Sequence, residues 1–304
     1  MGGTRFVGKS LVNKLCTNGH ELCLFTRGNR VLPNKVEHIC GDRNKDEDLE
    51  LLVGRQFDVI VDTSGRTLEQ TKKVISYAGK PKSRFVYLSS AGVYKRSEIL
   101  PIDENSQIDN ESRHIGKYLT EQWLINNKIP FTIFRPTYIY GPGNYNPIEK
   151  WFFDRLLNKR IIPIPGNGDT ITQLGHVCDL ANAMSLSIDN EIALNKIYNC
   201  SGKRGITFNG LIKLAAKVCS IKDSDIEICS YDPNLLESKA RKVFPLRLEP
   251  FFTDVSLLEK DLNWSPDFDL FNGFMDSYKK DYLLTSDNSF DFSSDDLFLR
   301  QLNI

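Results

Sequence analysis

Through the first two hundred residues, short apolar runs alternate with segments of helical spacing, a pattern that closes most readily into a parallel sheet with helices on both faces. The runs are Glu21 to Phe25, Val36 to Cys40, Val59 to Asp62, Arg84 to Leu88 and Phe131 to Arg135. Val59-Ile60-Val61 and Phe85-Val86-Tyr87-Leu88 lack polar alternation, as strands covered on both sides require. Between the runs, Gly8 to Asn18, Leu68 to Ala78 and Ile115 to Asn127 repeat apolar residues at three-and-four spacing and predict helices.

After Gly141-Pro142-Gly143 the pattern loosens into a helix over about Ile148 to Asn158, a strand Ile161 to Ile164 and a turn at Gly166-Asn167-Gly168. His176 to Ile188 is helical again and Ile197 to Asn199 reads as a strand. The expected organisation is a doubly wound α/β domain from residues 1–142 and 176–204, with a smaller α+β lobe from 143–175 and 205–282. Residues 283–304 form a tail rich in Ser, Asp and Phe that is disordered or docks by its aromatics. Trp151, Phe152, Phe153 and Trp264 are expected in the core of the smaller lobe.

The chain of 304 residues is long enough to bury its own core without disulfides or metal. Lys+Arg and Asp+Glu number 39 each, so no global field steers it toward nucleic acid or an acidic membrane. Its seven cysteines show neither C-x-x-C pairing nor histidines at metal spacing, and read as buried thiols in a reducing compartment. No metal site is expected. No apolar stretch approaches the roughly 20 residues needed to cross a bilayer, which points to the cytoplasm, or to the plastid stroma in a plastid-bearing cell.

Met1-Gly2-Gly3-Thr4-Arg5-Phe6-Val7-Gly8 opens the first helix in the manner of a Rossmann dinucleotide motif. Gly2 suits the tight turn and Gly8 the close packing of helix on strand, with the helix N-terminus facing phosphate. Arg5 occupies the middle glycine position; its bulk hinders backbone approach, while its guanidinium suits a phosphate. The fold also requires a central strand immediately before this motif, and the given N-terminus lacks it, so a start upstream of Met1 is expected. Thr26, Arg27 and Arg30 stand where an acidic residue would take the ribose 2′-hydroxyl, which favours NADP slightly over NAD. Solvated loop charges are the alternative.

Four further segments follow in order: Phe85 to Tyr94 with Ser89-Ser90, Arg113 to Glu121, Phe134 to Gly143, and Gly166 through Gln173 to Asp179. With Asn263-Trp264-Ser265-Pro266 near the end, they resemble the extended short-chain dehydrogenase/reductase family of the NAD-dependent epimerase/dehydratase type, over nearly the whole chain to about residue 282. That resemblance implies NAD(P) and a nucleotide-sugar-like substrate. A Tyr-x-x-x-Lys pair would take a sugar hydroxyl proton, and a strand-end serine would orient the sugar.

Ser90 matches that serine and Lys117 the lysine, but Arg113 occupies the tyrosine slot. An arginine stays protonated and cannot accept the proton. His114 lies one residue, about 100 degrees, around a helix from that slot and is expected not to face the same atom; Tyr118 has the same difficulty. For Lys117 an i,i+4 pair with Glu121 is the structural alternative. Carried over from the family, the cofactor residues would be Gly2, Gly3, Arg5, Phe6, Gly8, Arg27, Asp42, Thr63, Ser64, Lys117, Pro136 and Tyr138, with Asp42 near an adenine and Thr63-Ser64 near its ribose.

Within the family, G-G-T-R-F-V-G, the triplet Gly41-Asp42-Arg43 and the missing tyrosine resemble most the atypical branch of chloroplast stem-loop-binding proteins and their bacterial counterparts. This resemblance implies RNA binding, with endoribonuclease activity or ribosome association, as an alternative on the same scaffold. Candidate phosphate-binding clusters are Lys80-Lys82-Arg84, Lys159-Arg160 and Lys239-Arg241-Lys242. The resemblance also hints at a homodimer formed through a helix pair that includes the Lys117 helix.

Overall fold

A computed structural model describes residues 1–33, 36–235, 243–284 and 290–302. The chain divides into two compact units. The first comprises Met1–Ile139, Gly175–Lys203 and Thr253–Asp267; the second comprises Tyr140–Leu174, Arg204–Phe252 and Phe268–Ile304.

In the first unit, helix α1 (Phe6–Thr17) is followed by strands β1 (Cys23–Thr26) and β2 (Glu37–Cys40) and the short helix α2 (Asp46–Leu49). Strand β3 (Val59–Asp62), helix α3 (Leu68–Ala78), strand β4 (Arg84–Leu88), helix α4 (Ile115–Asn126) and strand β5 (Phe131–Pro136) complete the alternation. A parallel sheet runs in the order Lys196–Cys200, β5, β4, β3. Every residue of β4 and β5 is buried, including Arg84, Thr132 and Arg135, as central strands covered on both faces require.

β1 and β2 form a separate parallel pair. Between this pair and β3 lie the first residues of the chain. The Met1 amino group donates to the Val61 carbonyl at 2.8 Å, and Thr63 N–H donates to the Met1 carbonyl at 3.2 Å, so Met1 is bonded on both sides of Asp62 at the end of β3. Two apolar layers sandwich the strands. One joins Val7, Leu11 and Leu15 of α1 to Leu180, Ala183 and Met184; the other joins Val74, Ile75 and Leu124 to Phe85, Tyr87 and Ile133.

Thr253–Asp267 belongs to the first unit, whereas the sequence pattern assigned all of 205–282 to the smaller lobe. Packing explains the difference. Leu258, Leu262 and Trp264 are buried in the α1 layer, and Trp264 Nε1 donates to the Asp179 carbonyl at 3.1 Å. Trp264 is therefore not smaller-lobe core.

The second unit pairs Ile162–Pro165 with Ile228–Tyr231 in parallel and Ile171–Thr172 with Ile206–Thr207 antiparallel. Phe152, Phe153, Phe208, Phe244 and Phe274 are buried in its core. The described part of the tail carries a helix, Ser293–Gln301. Phe298 is fully buried beside Tyr231, and Asp295 pairs with buried Arg155 at 2.5 Å, so this part of the tail docks.

The thiols depart from expectation. Of the seven cysteines only Cys200 is fully buried, while Cys40 and Cys178 are exposed, because strand-end and helix-surface positions place them at the edge of the apolar layers. Among the described residues, no helix is long and apolar enough to cross a membrane, and no group of three or more His, Cys, Asp or Glu is placed to hold a metal ion.

Candidate functional site

The turn entering α1 is built on close backbone approach. Gly2 has φ +84°, and a Cβ there would stand 2.8 Å from Thr63 Oγ1 and 2.9 Å from Ser64 Cβ. A Cβ on Gly8 would meet the Gly2 carbonyl oxygen at 2.0 Å, so this glycine lets the helix lie on the turn. Gly3 is buried against Leu24. Arg5 is exposed at the N-cap in extended backbone, and its side chain does not cap the first turn, whose N–H groups point out of the helix end. Phe6 has φ +40°, a left-handed conformation costing a residue with a side chain about 1–2 kcal/mol.

Beside this turn lies an ion pair that the sequence reading did not single out. Arg43 grips the fully buried Asp62 with two bonds, Nη1 to Oδ1 at 2.6 Å and Nη2 to Oδ2 at 2.8 Å, and Nη1 also donates to Ser64 Oγ at 2.9 Å. Asp62 Oδ1 further accepts Ser64 N–H (3.0 Å) and Gly65 N–H (2.9 Å). Burial penalises this carboxylate, but the charge and hydrogen bonds of Arg43 outweigh that penalty and hold it well below the usual carboxylate range. The signal was present in the sequence. Asp62 ends an apolar strand and precedes Thr-Ser-Gly, a place where a buried charge demands a partner.

Asp42 Oδ1 accepts Asn44 N–H (2.9 Å) and Nδ2 (2.8 Å), and the backbone bond above all holds its carboxyl below the ordinary value. Thr26 ends β1 with Oγ1 3.0 Å from His38 Nε2, while Arg27 and Arg30 are exposed. Pro136 is buried at the end of β5 and Tyr138 is half-buried two residues on.

The third group surrounds the end of β4. Ser90 Oγ accepts Gly92 N–H at 3.0 Å. Ser112 Oγ donates to the Gly92 carbonyl at 2.6 Å and accepts His114 N–H at 3.0 Å. Helix α4 begins only at Ile115, with His114 as its N-cap (φ −100°, ψ 7°), so Arg113 and His114 precede the helix. The argument from 100 degrees of helical rotation therefore fails for His114. Its ring lies against Gly92, where a Cβ would be 2.9 Å from Nε2 and 3.0 Å from Ser90 Oγ. Exposed Arg113 donates from Nε to His114 Nε2 at 3.1 Å.

Lys117 is not paired with Glu121, which is bound by both arms of buried Arg135. Its Nζ instead donates to the carbonyls of Leu88 and, at 3.3 Å, Ser89, and lies 5.5 Å from the centre of the Tyr87 ring. Burial pushes this amine down from 10.5 to about 8, against the opposing charges of Asp62 and Glu121. Between those values the unfolded chain holds a proton that the folded chain has released, so this group's contribution to stability rises with pH across that window. Carbon-13 NMR of the lysine ε-carbons is expected to show one resonance titrating near pH 8 that Lys117→Met removes. A Lys117 midpoint at the ordinary value would contradict the burial.

Among the described residues, several cations of the basic clusters are already engaged. Arg84 is fully buried, with its guanidinium on the carbonyls of Ser187 and Asn190, because β4 is covered on both faces and these carbonyls supply its partners. Lys80 donates to the Asn127 carbonyl and Lys82 pairs with Asp58 at 3.4 Å. Arg160 pairs with Asp296 and covers the Phe292 ring at 4.9 Å. Lys239, Arg241 and Lys242 lie outside the described residues.

The sequence pattern of the NAD dependent epimerase/dehydratase family matches residues 1–201. The chain is 41% identical over 317 residues to the chloroplast stem-loop binding protein of 41 kDa b of Arabidopsis thaliana, covering 98% of this chain and 83% of that protein. Its fold resembles UDP-glucose 4-epimerase of Thermotoga maritima, solved with UDP-glucose (TM-score 0.74, 20% identity, 92% of this chain and 96% of that one). UDP-glucose 4-epimerase of Thermus thermophilus, solved with NAD, is similarly close (TM-score 0.75, 16% identity, 93% and 98%).

Proposed function

The chain belongs to the NAD dependent epimerase/dehydratase family, and we propose that it binds a nicotinamide dinucleotide on the Gly2–Gly8 turn and a nucleotide-linked sugar beside Ser90. The observation that carries this reading is the turn itself. Gly2 and Gly8 allow backbone approaches that no other residue tolerates, beside an α1 N-terminus without a side-chain cap. Thr63 and Ser64, fixed by Met1, Asp62 and Arg43, would face the ribose, and Asp42 the adenine. Arg5 and Arg27 would meet the phosphates, and the absence of an acidic residue after Thr26 favours NADP slightly. When bound, the dinucleotide would supply hydride transfer. The chain would supply orientation through Ser90 and positive charge through Lys117.

Arg113 stands at the position that matches the family's tyrosine and cannot take a hydroxyl proton, so the usual oxidation needs another acceptor. Calorimetric titration with NAD(H) and NADP(H) tests the binding half, and micromolar affinity for either is expected. Arg113→Tyr is expected to start or raise cofactor reduction with UDP-glucose. A folded variant that binds both ligands without reducing the cofactor would count against the chemical half.

The name of the Arabidopsis relative supports a second reading, RNA binding on the same scaffold. It requires stem-loop RNA affinity that falls steeply with salt and weakens when Lys239, Arg241 and Lys242 are reversed in charge. Unchanged affinity would remove that patch from consideration.

A further inference from the structure

We infer that His114 is the group that accepts the substrate hydroxyl proton at this site, a role that rests on the sugar-nucleotide reading above. Three observations converge on it. The imidazole is placed by a frame rather than by a free loop: Ser112 Oγ holds the Gly92 carbonyl and the His114 N–H together, at 2.6 and 3.0 Å. Gly92 has no side chain to separate ring from serine, and the position its Cβ would take lies 2.9 Å from His114 Nε2 and 3.0 Å from Ser90 Oγ. Finally, Ser90 Oγ accepts Gly92 N–H, so its own hydrogen remains to be donated to a substrate oxygen brought beside Nε2.

Arg113 completes the arrangement as a positioning residue. It has no basic lone pair, but its Nε donates to His114 Nε2, which makes that nitrogen the acceptor and leaves the proton of the neutral ring on Nδ1. Because Arg113 is exposed, a substrate hydroxyl can take over this hydrogen bond without displacing any core side chain. In the oxidising direction the O–H bond breaks and its proton passes to Nε2. The carbinol C–H bond breaks as its hydride passes to an oxidised nicotinamide, and the C–O bond becomes a carbonyl. The reverse step returns both.

The chain has four histidines, so the ring signals of the intact protein are few enough to follow singly by NMR, with His114 assigned through His114→Gln. The probes are UDP-glucose and NAD, added separately and together, with calorimetry reporting binding in parallel. The His114 ring signal is expected to move on adding UDP-glucose to the NAD-loaded protein, while that of His20, beside Asp189 far along the chain, stays in place. In the same protein carrying Arg113→Tyr, replacing His114 by Gln should cost cofactor reduction less than about tenfold, because the introduced tyrosine can take the proton instead. In the unmodified chain it should cost any cofactor reduction about 100-fold or more in kcat. Heat of binding with a stationary His114 signal would overturn the assignment alone. No heat from either ligand would overturn the sugar-nucleotide reading and this inference with it.

Discussion

Replacing Gly8 with alanine is expected to destabilise the first unit by about 3 kcal/mol and to weaken dinucleotide binding at least tenfold, or about 1.4 kcal/mol. The new methyl would stand 2.0 Å from the Gly2 carbonyl oxygen, 2.9 Å from its carbon and 3.0 Å from the Gly3 Cα. All three are backbone atoms, so no rotamer change relieves the clash. Helix α1 must lift from the turn, and the contacts of Val7, Leu11 and Leu15 with the Val177–Leu186 helix are loosened as it does. Urea unfolding should show a lower midpoint at unchanged slope, and calorimetry the lost affinity. Wild-type stability in Gly8→Ala would mean that turn and helix are less closely joined than the structure has them.

Arg43→Ala should be at least as damaging, about 3–5 kcal/mol, because it leaves the Asp62 carboxylate charged and buried without its counter-ion. Arg43 Nη1 also donates to Ser64 Oγ, so the Thr63-Ser64 edge of the proposed ribose site would lose this anchor along with the charge balance. Adding Asp62→Asn to Arg43→Ala should recover part of the loss, since the uncompensated charge is then gone. The sign with pH follows from the depressed Asp62 value. In the unmodified chain the pair contributes above the ordinary carboxylate range, and that contribution is lost as pH falls through the folded value. Arg43→Ala should therefore lose less stability on acidification than the unmodified chain. A cost below about 1 kcal/mol, or no recovery in the double variant, would show that solvent reaches Asp62.

Periodicity made most of the first unit legible. The apolar runs at β3 and β4 and the three-and-four spacing of α3 and α4 lie within two residues of the elements they predict. Each of those patterns records which side of a local segment faces the core, and that is a property of neighbouring residues. The segment Thr253–Asp267 escaped this logic, because its burial depends on Asp179 and α1, far away in the chain. For the tail the sequence left two readings, disordered or docked by its aromatics, and only its distant partners decided between them for the described part. Its Ser- and Asp-rich composition resembles a solvated end, but Asp295 meets Arg155 across 140 residues and Phe298 meets Tyr231.

The candidate site divides along the same line. The glycine spacing, Ser90, Lys117 and the arginine at 113 were readable from order and spacing alone, as was the likeness to an epimerase scaffold. The sequence by itself determined the alternating α/β architecture, the glycine turn entering α1 and a side chain at position 113 that is already protonated and cannot accept a proton. Only the tertiary structure decided that α4 starts after His114, that the imidazole rests on Gly92 beside Ser90, that Lys117 turns to the β4 carbonyls, and that Arg43 rather than a helix neighbour neutralises a buried aspartate. Hydrophobic burial is written in local residue order and needs no particular partner. A buried hydrogen bond or ion pair needs one atom at about 3 Å in a fixed direction, and folding alone selects which distant residue supplies it.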